Sequence, residues 1–590
     1  MRGLEKCMRA RILILSVILI LVGGIVSLGV RSSDGVTVKH TRFAGGNGIM
    51  RGGTLYIPPG ASKENPAPGV VTTHGYINTR DTMQPVALEL ARRGYVVLNM
   101  DQTGHGLSDP PAFANGFGGP GALQYLKSRS FVHDSDIGLV GHSMGGPASV
   151  AAAATYPESY ASIALIASAP RYAVSHYLPV EESAEFPKNV GVIWDKYDEF
   201  SQLMAASALA TGVKEDLKAQ TLFGTDQPIE EGKLYGSIEN GTARKLEIIT
   251  TIHPFMTQNG EAIGKTVDWI QKTVPGGEKT ASSKQIWGWH EFGSLLAYLG
   301  VIMAIFPLGA IVLRHSFFHE IGEDPPKAMG LTGKAKLVSA ILTGAIAILT
   351  YFPLTGLGYS MSTTPLFPQQ ITNGVMIWAV LNGVIILALF LLWHFKSNRS
   401  KGARMENYGI TWAESGSVQW RKIGKALLFG FLVVALTYAL ASICHWAFKV
   451  SPHFWVFTIK QFTVDGFITF LGYWVPFTFF FAAFSVLYHS ELRSAASARN
   501  KLGVEMIKNF LIITIPFVIL LLAEYIPRIA GGTLLTAGNP LWTIIAFQFI
   551  PILGVAALVT TFFYRKTGRI YPAAFINGTL MTWMIIASQA

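Results

Sequence analysis

The sequence has little charge and almost no cysteine. Charged residues make up 14% of its 590 residues, against about 25% in an ordinary soluble protein. The two cysteines, Cys7 and Cys444, lie far apart in the chain. They exclude the disulfide framework that stabilises small secreted domains. Half of the residues are hydrophobic, so the low charge argues against a wholly soluble protein and indicates membrane-spanning segments.

The sequence also lacks a basic stripe interleaved with stacking aromatic residues. Its formal net charge is +11, which alone is compatible with binding to nucleic acid. The basic residues, however, gather in short loops between apolar runs. This distribution argues against a nucleic-acid partner and points to the lipid bilayer instead.

The first long apolar run is ILILSVILILVGGIVSLGV, residues 12–30, which carries no charge between Arg11 and Arg31. Nineteen helical residues extend about 28 Å, enough to cross the hydrocarbon core of a bilayer. We therefore expect residues 1–34 to form an N-terminal transmembrane anchor. The alternative is a cleaved signal segment, and both interpretations export the residues that follow.

Long apolar runs return after residue 290. With the first helix they predict about nine transmembrane helices, the last eight of them forming a helical domain over residues 291–590. The predicted spans are 291–313, 336–357, 374–394, 426–447, 467–487, 509–526, 542–563 and 571–588. Tryptophans near their ends fit an aromatic belt at the membrane interface, namely Trp287, Trp289, Trp446, Trp455, Trp474 and Trp542.

Lysine and arginine are distributed unequally between the two sides of these spans. If the N-terminus is cytoplasmic, the predicted inner segments carry 22 of them and the three short outer loops carry three. Such an excess is typical of cytoplasmic loops. The sequence thus predicts a multi-pass protein of the cell membrane with the segment between the first two spans on the extracytoplasmic side.

That segment, residues 35–275, has the composition of a globular domain. Short β-rich runs such as PGVVTTHGY, YVVLNMD and IGLVGHS alternate with helical patterns. Strands that alternate with helices predict a mostly parallel sheet with helices on both faces. Residues 276–290, which include the polar stretch GGEKTASSKQ, are expected to be a linker to the helical domain.

The stretch Gly141-His142-Ser143-Met144-Gly145 matches the G-x-S-x-G pattern of a nucleophile elbow. An apolar strand-like run precedes it, and a run of small residues competent to form a helix follows. A sharp strand-to-helix turn leaves no room for side chains at Gly141 and Gly145. We therefore predict that Ser143 is an exposed nucleophile and not one more small residue in a turn.

A nucleophilic serine needs donors for the oxyanion that forms during acyl transfer. The strand ending at His74-Gly75 precedes Tyr76, whose backbone N–H is one candidate donor. The N–H of Met144, directly after the nucleophile, is the other.

A nucleophilic serine also needs a base and an acid that orients the base. Asp198 follows the predicted strand NVGVIWD, with Asp195 and Glu199 as competing acids. His253 follows the predicted strand KLEIITTI and is the only histidine between these acids and the linker. The order Ser143, Asp198, His253 predicts a catalytic triad.

With these residues the segment 37–272 resembles the α/β-hydrolase superfamily, in particular bacterial esterases, dienelactone hydrolases and serine aminopeptidases. The similarity includes His74-Gly75, the run Asp101-Gln102-Thr103-Gly104-His105-Gly106 and the elbow. Asp195 departs from it, because relatives often carry glycine there. The resemblance implies a Ser-His-Asp hydrolase of a bacterial cell that forms an acyl-enzyme from a small or lipid-like substrate.

Several alternatives stay open at this point. A serine peptidase or an acyltransferase has the same constellation of residues. The domain could also be a sensor or accessory module on a transporter or scaffold, since eight further spans exceed what anchoring needs. No large cap is expected, and LYGSIENGTARKLEI predicts a hairpin beside the site. No cofactor or metal is expected, although His315, His319 and Glu320 have ligand-like spacing.

Overall fold

A computed structural model of the chain describes residues 2–45 and 48–587, with the side chains of residues 2–9, Cys7 among them, left out. Its globular part contains one nine-stranded sheet. The strands are β1 (Thr37–Ala44), β2 (Met50–Ile57), β3 (Ala67–Thr73), β4 (Val96–Met100), β5 (Val132–His142), β6 (Ser162–Ile166), β7 (Val190–Asp195), β8 (Leu234–Tyr235) and β9 (Arg244–Ile249).

The strand order is β1-β2-β4-β3-β5-β6-β7-β9-β8. The six central strands of this order, β4, β3, β5, β6, β7 and β9, run parallel to one another. The outer strands β1, β2 and β8 add antiparallel pairs at the two edges. The β8–β9 pairing confirms the predicted hairpin. β4 and β5 lie on opposite sides of β3, so the chain reverses its direction of progress between β3 and β5. Open α/β sheets bind their ligands at such a point.

Helices cover both faces of this sheet, because buried parallel strands carry apolar side chains on both sides. One face packs against α2 (Gln84–Ala91) and α7 (Gly260–Thr273). The other face packs against α3 (Gly119–Lys127), α4 (Gly145–Thr155), α5 (Ser201–Ala205) and α6 (Leu217–Phe223). Because this part is the segment whose sequence resembles α/β hydrolases, we call the stretch from β1 to α7 the hydrolase domain.

The remaining helices form a bundle that we call the membrane domain. They are α1 (Arg2–Arg31), α8 (Trp287–Val312), α9 (Ser316–His319), α10 (Gly333–Leu349), α11 (Tyr351–Tyr359), α12 (Gln370–Trp393), α13 (Trp420–Phe448), α14 (Val464–His489), α15 (Ala495–Ala498), α16 (Leu502–Ile529), α17 (Pro540–Thr567) and α18 (Tyr571–Ile586). Short strands β10 (His453–Phe454) and β11 (Phe457–Thr458) pair in the loop between α13 and α14.

Eight segments of the described chain are long and apolar enough to cross a membrane: α1, α8, α10 with α11, α12, α13, α14, α16 and α17. The ninth predicted span corresponds to α18, which has 16 residues and is buried among its neighbours. This helix ends at Ile586. The predicted span 571–588 ends at a residue that lies outside the described part of the chain. At about 1.5 Å per residue α18 extends about 24 Å, short of the hydrocarbon core, so the described chain has eight candidate spans where the sequence predicted about nine.

The two ends of the bundle differ. At one end, the segments rich in lysine and arginine contact one another, as where Leu331 N donates to Glu491 O at 2.8 Å and Glu323 N donates to Thr567 O at 2.9 Å. At the opposite end, the bundle packs against the hydrolase domain, with Lys460 Nζ 2.8 Å from Asp81 Oδ2. The hydrolase domain therefore lies at the end of the bundle that carries few basic residues.

Candidate active site

Ser143 lies at the tip of a sharp turn between β5 and α4. Its backbone is in the left-handed region, with φ of +52°, a conformation that side chains rarely adopt. The turn is held where Ser143 N donates to Ile166 O and Gly146 N donates to Ser143 O, both at 2.8 Å. A Cβ at Gly141 would lie 2.1 Å from Gly145 O, and one at Gly145 would lie 2.2 Å from Thr73 O. This is the strained geometry of a nucleophile elbow.

A continuous hydrogen-bonded chain links Ser143 to an acid through His253. Ser143 Oγ lies 2.9 Å from His253 Nε2, and His253 Nδ1 lies 2.7 Å from Asp198 Oδ2. Asp198 Oδ1 also accepts a hydrogen bond from Phe200 N at 2.7 Å, which fixes the carboxylate. His253 opens the short 3₁₀ helix His253–Gln258, directly after β9. The structure thus brings together the three residues predicted to form a triad.

The two competing acids lie in the same cluster but have different partners. Asp195, Asp198 and His253 have polar atoms within 4.8 Å of one another. Burial, and next the Asp198 carboxylate, raise the pKa of Asp195 well above its ordinary value. Neither carboxylate oxygen of Asp195 has a hydrogen-bond partner among the described residues, so Asp195 lies beside the triad acid but outside the hydrogen-bonded chain to His253.

Glu199 contacts the base through the backbone. Its Oε2 accepts a hydrogen bond from His253 N at 3.0 Å. Burial, and next the Asp198 carboxylate, raise the pKa of Glu199 from 4.5 to about 7. Glu199 therefore lies behind the base and holds its backbone, whereas the imidazole ring of His253 contacts Asp198.

The electrostatic environment of His253 suits a base. Burial alone would lower the pKa of His253, but the adjacent Asp198 carboxylate raises it above its ordinary 6.5. A buried imidazolium forms readily only beside such a carboxylate. The imidazole can therefore accept a proton from Ser143 and be stabilised while it carries the charge.

Tyr76 and Met144 lie on two sides of the serine, as expected for an oxyanion site. Tyr76 lines the cavity in front of Ser143, and Met144 is buried at the start of α4, where Tyr76 packs against it. Among the residues the structure describes, neither backbone N–H donates a hydrogen bond. Both donors are therefore free for a substrate oxygen.

His74, Gly75 and His142 support the site from behind and beside it. His74 Nδ1 donates to Gly75 O at 2.7 Å, and its Nε2 accepts from Gln102 N at 3.0 Å. Burial lowers the pKa of His74 to about 3, so the ring stays neutral. A Cβ at Gly75 would lie 3.0 Å from Ser143 Cβ, so a larger residue there would press on the nucleophile.

The ring of His142 contributes more than the elbow motif implies. It lines the cavity and lies 5.2 Å from the His253 ring. In the described part of the chain neither of its ring nitrogens has a hydrogen-bond partner. Burial, and next the proximity of His253, lower the pKa of His142 well below its ordinary value, so it presents a neutral ring.

The last turn of α16 reaches from the membrane domain into the loop that carries the acids. Arg528 donates to Asp198 O, to Ala208 O at 2.6 Å and to Ser201 Oγ at 3.0 Å. One turn earlier, the Tyr525 hydroxyl donates to Glu199 Oε1. A helix of the membrane domain therefore fixes the loop that holds the triad acid.

The cavity in front of Ser143 has a volume of about 380 Å³ and is lined by both domains. The hydrolase domain supplies residues such as Ile77, Tyr172 and Met204, whereas loops and helix ends of the membrane domain close the opposite wall. The latter are Gly356, Tyr359, Trp455, Val456, Gly538, Asn539, Pro540, Leu541, Trp542, Ile544 and Gln548.

Two tryptophans of this wall correct the sequence-based interpretation. Trp455 and Trp542 were expected in the interfacial belt, but they are buried between the domains. Trp455 Nε1 donates to Pro254 O at 2.8 Å, beside the base. Trp289 and Trp446, by contrast, are exposed by 64% and 76% and fit the belt.

The contacts from Tyr525 and Arg528 were also missed by the sequence analysis. In the sequence, Arg528 stands out only as the sole basic residue of its predicted outer loop. That position does not indicate which residues it contacts. The candidate metal group His315, His319 and Glu320 does not assemble, since His315 Nδ1 accepts from Phe317 N and Glu320 pairs with Lys425.

Part of the chain is similar to known proteins. Residues 64–233 match the family described as serine aminopeptidase, S33. None of the curated proteins matches the chain. Similar solved structures are a dienelactone hydrolase from Anabaena variabilis (18% identity, 41% of this chain and 99% of that chain, TM-score 0.28) and an esterase from Pyrococcus furiosus (14% identity, 40% and 93%, TM-score 0.29).

The sheet and the elbow give the globular part the fold of an α/β hydrolase, and the family match covers residues 64–233 of it. In the part of the chain that the structure describes, this domain is joined to a bundle in which eight segments are long and apolar enough to cross a membrane.

Proposed function

We propose that the protein is a membrane-bound serine hydrolase that cleaves a carboxylic ester with a lipid-like acyl group. The observation that carries this proposal is the hydrogen-bonded chain from Ser143 through His253 to Asp198, which opens into an apolar cavity shared with the membrane domain.

The proposed reaction begins when Ser143 Oγ attacks the ester carbonyl carbon and His253 Nε2 accepts its proton. The N–H groups of Tyr76 and Met144 stabilise the oxyanion. His253 then returns the proton to the leaving alcohol, and Ser143 keeps the acyl group as an ester. Water, deprotonated by His253, releases the acid in a second attack of the same kind.

The lining of the cavity favours a neutral ester over a peptide with a free amino terminus. No Asp, Glu, Lys or Arg side chain is among the described residues that line it. A substrate ammonium group in such a site loses its hydration and gains no opposite charge, which is costly. Serine aminopeptidase activity, the alternative that the family match suggests, therefore has less support.

The depth of the cavity favours a long acyl group. Gln548, one of its lining residues, lies eight positions after the start of α17 at Pro540, which is about 12 Å along the helix axis. The lining of the cavity thus includes the first turns of α17 as well as Ser143. An acyl chain of a lipid can follow this path while the ester group stays at the triad.

The distribution of basic residues supports a placement outside the cytoplasm. The hydrolase domain lies at the bundle end that carries few lysines and arginines, and basic loops are typical of the cytoplasmic side. We accordingly propose that the triad faces the extracytoplasmic leaflet, with the N-terminus inside.

Hydrolysis of two substrate classes by purified full-length protein tests the proposal. p-Nitrophenyl esters with acyl chains of increasing length are compared with aminoacyl p-nitroanilides, and Ser143→Ala gives the blank. We expect ester hydrolysis that depends on Ser143 and increases with chain length. Hydrolysis of the aminoacyl anilides alone, also dependent on Ser143, would establish the peptidase alternative.

A further inference from the structure

We propose that His290, Glu291 and His453 form a binding site for a divalent transition-metal ion, and that Zn²⁺ is the ion it takes. The three side chains meet where the first turn of α8 contacts the loop between α13 and α14. The ligand atoms of all three lie within 4.8 Å of one another. The Glu291 carboxylate is 3.3 Å from His453 Nε2 and 3.9 Å from His290 Nε2.

His290 is the group that points to an absent ligand. Its side chain is completely buried, and neither Nδ1 nor Nε2 has a hydrogen-bond partner within the described chain. Buried polar atoms of native proteins are nearly always paired, so each exception calls for an explanation such as an ion. A metal ion between His290 and Glu291 supplies the partner that Nε2 lacks.

The other two ligands are already oriented as metal ligands usually are. His453 Nδ1 lies 2.7 Å from Ser294 Oγ and 2.9 Å from Ser451 O. In the tautomer in which Nδ1 donates to Ser451 O, the lone pair of Nε2 faces Glu291. Gln258 Nε2 donates to Glu291 Oε2 at 3.0 Å. Hydrogen bonds of this kind fix the tautomer of a ligating histidine and the rotation of a ligating carboxylate.

The donor set and its spacing suit zinc. Two imidazoles and one carboxylate leave a fourth tetrahedral position open, whereas Mg²⁺ and Ca²⁺ prefer oxygen ligands throughout. Bond lengths of about 2.0–2.2 Å with tetrahedral angles place ligand atoms about 3.3–3.5 Å apart. The distances of 3.3 and 3.9 Å from Glu291 to the two rings need only a small adjustment. The Glu291 side chain is 15% exposed, which gives the ion a path from solvent.

The position of the site implies a structural role beside the active site. Gln258 belongs to the short helix that begins with His253. The loop that carries His453 also carries Trp455, whose indole donates to Pro254 O. An ion held by His290, Glu291 and His453 would connect α8, this loop and the segment of the base. The inference stands on these contacts alone and does not depend on the proposed ester hydrolysis.

Metal binding is measured directly on the full-length protein. The protein is purified in detergent, stripped with chelator, equilibrated with Zn²⁺ and analysed for bound metal after desalting. We expect one Zn²⁺ per chain in the wild type and a loss of more than about 100-fold in affinity for His290→Ala and His453→Ala. Gln258→Ala should weaken binding about ten-fold, as is usual for a residue that orients a ligand.

Two matched histidine variants distinguish this site from others. His445→Ala removes a neighbouring half-buried histidine outside the ligand group, and this variant should still bind one Zn²⁺ per chain. His253→Ala removes the histidine of the triad cluster, which also gathers three potential ligands, and should keep it as well. Zn²⁺ lost in His253→Ala but retained in His290→Ala would place the ion at the triad and overturn the proposal.

A spectroscopic measurement on the wild type keeps the test independent of how the variants fold. Co²⁺ in place of Zn²⁺ should give the intense visible absorption of a four-coordinate site, and excess Zn²⁺ should abolish it. Only weak octahedral absorption, or no metal retained by the wild type at all, would contradict the inference.

Discussion

The guanidinium group of Arg528, in the last turn of α16, donates a hydrogen bond to the backbone carbonyl oxygen of Asp198. Asp198 in turn holds His253 through its carboxylate, with 2.7 Å between Oδ2 and Nδ1. A helix of the membrane domain is therefore two hydrogen bonds away from the base. Through this hydrogen bond the membrane domain holds the loop of the triad acid, which a simple membrane anchor would not do.

Arg528→Ala should consequently lower kcat more than it raises KM. The loop that carries Asp198 loses its contacts to a buried cation, and a displacement of about 1 Å in a catalytic group costs about 100-fold in rate. We expect kcat for an ester to fall about 10- to 100-fold, measured on protein that still elutes as a single species. Arg499→Ala, an exposed arginine at the opposite end of the bundle, is the control. An unchanged kcat in Arg528→Ala would show that the bundle does not position the acid.

Gly356→Leu should shorten the acyl chain that the protein accepts. Gly356 lines the cavity, and a Cβ there meets nothing within 4 Å, so the leucine side chain can enter the cavity without moving the backbone. We expect kcat/KM for long-chain esters to fall about ten-fold or more, with short-chain esters nearly unaffected. Gly503→Leu, also in open space but far from the cavity, should change neither. An equal loss on short and long esters would place the acyl chain elsewhere.

Local parts of the site could be predicted from the sequence, whereas contacts between domains could not. The elbow at Ser143 depends on glycines two residues away, so its pattern is visible in a single stretch. The structure places Asp198, and neither Asp195 nor Glu199, against the ring of His253 as predicted. The raised pKa of Asp195, however, depends on burial that no short motif encodes.

The contact between Arg528 and Asp198 joins residues 330 positions apart. Nothing in a single sequence indicates that such residues meet, and the same holds for Trp455 and Pro254. The apolar runs likewise predicted the spans but not the wall that they build around the cavity. The packing of α8 against the distant loop at His453 likewise leaves no signal in the sequence, whereas ligand-like spacing within one short stretch, as at His315, His319 and Glu320, does.

Glu199→Gln should remove a pH dependence of stability. Burial, and next Asp198, raise the pKa of Glu199 from 4.5 to about 7 in the folded protein. Between these pH values the folded state binds a proton that the unfolded chain has released, so the free energy of unfolding falls as the pH rises. The fall amounts to about 3 kcal/mol.

Thermal unfolding at pH 5 and pH 8 checks this expectation. From pH 5 to pH 8, the unfolding temperature of the wild type should fall further than that of Glu199→Gln. Glu239→Gln removes an exposed glutamate and should behave like the wild type. The same loss in Glu199→Gln as in the wild type would mean that Glu199 is ionised in the fold.

Asp198→Asn should lower kcat by about 10⁴, the size of the effect when the acid of a serine-protease triad becomes an amide. Because the carboxylate raises the pKa of His253, its removal should also move the acid limb of kcat/KM to lower pH. The wild type should lose activity as the pH falls through a value above 6.5, where the base becomes protonated. Asp134→Asn, an exposed aspartate, is the control. An acid limb that stays in place would assign it to another group.

The central claim is that Ser143 is the nucleophile of a working triad in the intact membrane protein. Labelling of the full-length chain with a fluorophosphonate probe tests this most directly, since the probe reacts only with an activated serine. We expect the wild type to be labelled on the peptide that contains Ser143, and Ser149→Ala, which removes a buried serine of α4, to be labelled equally. Ser143→Ala should not react. Labelling of Ser143→Ala to the wild-type extent, or a wild type that does not react, would contradict the claim.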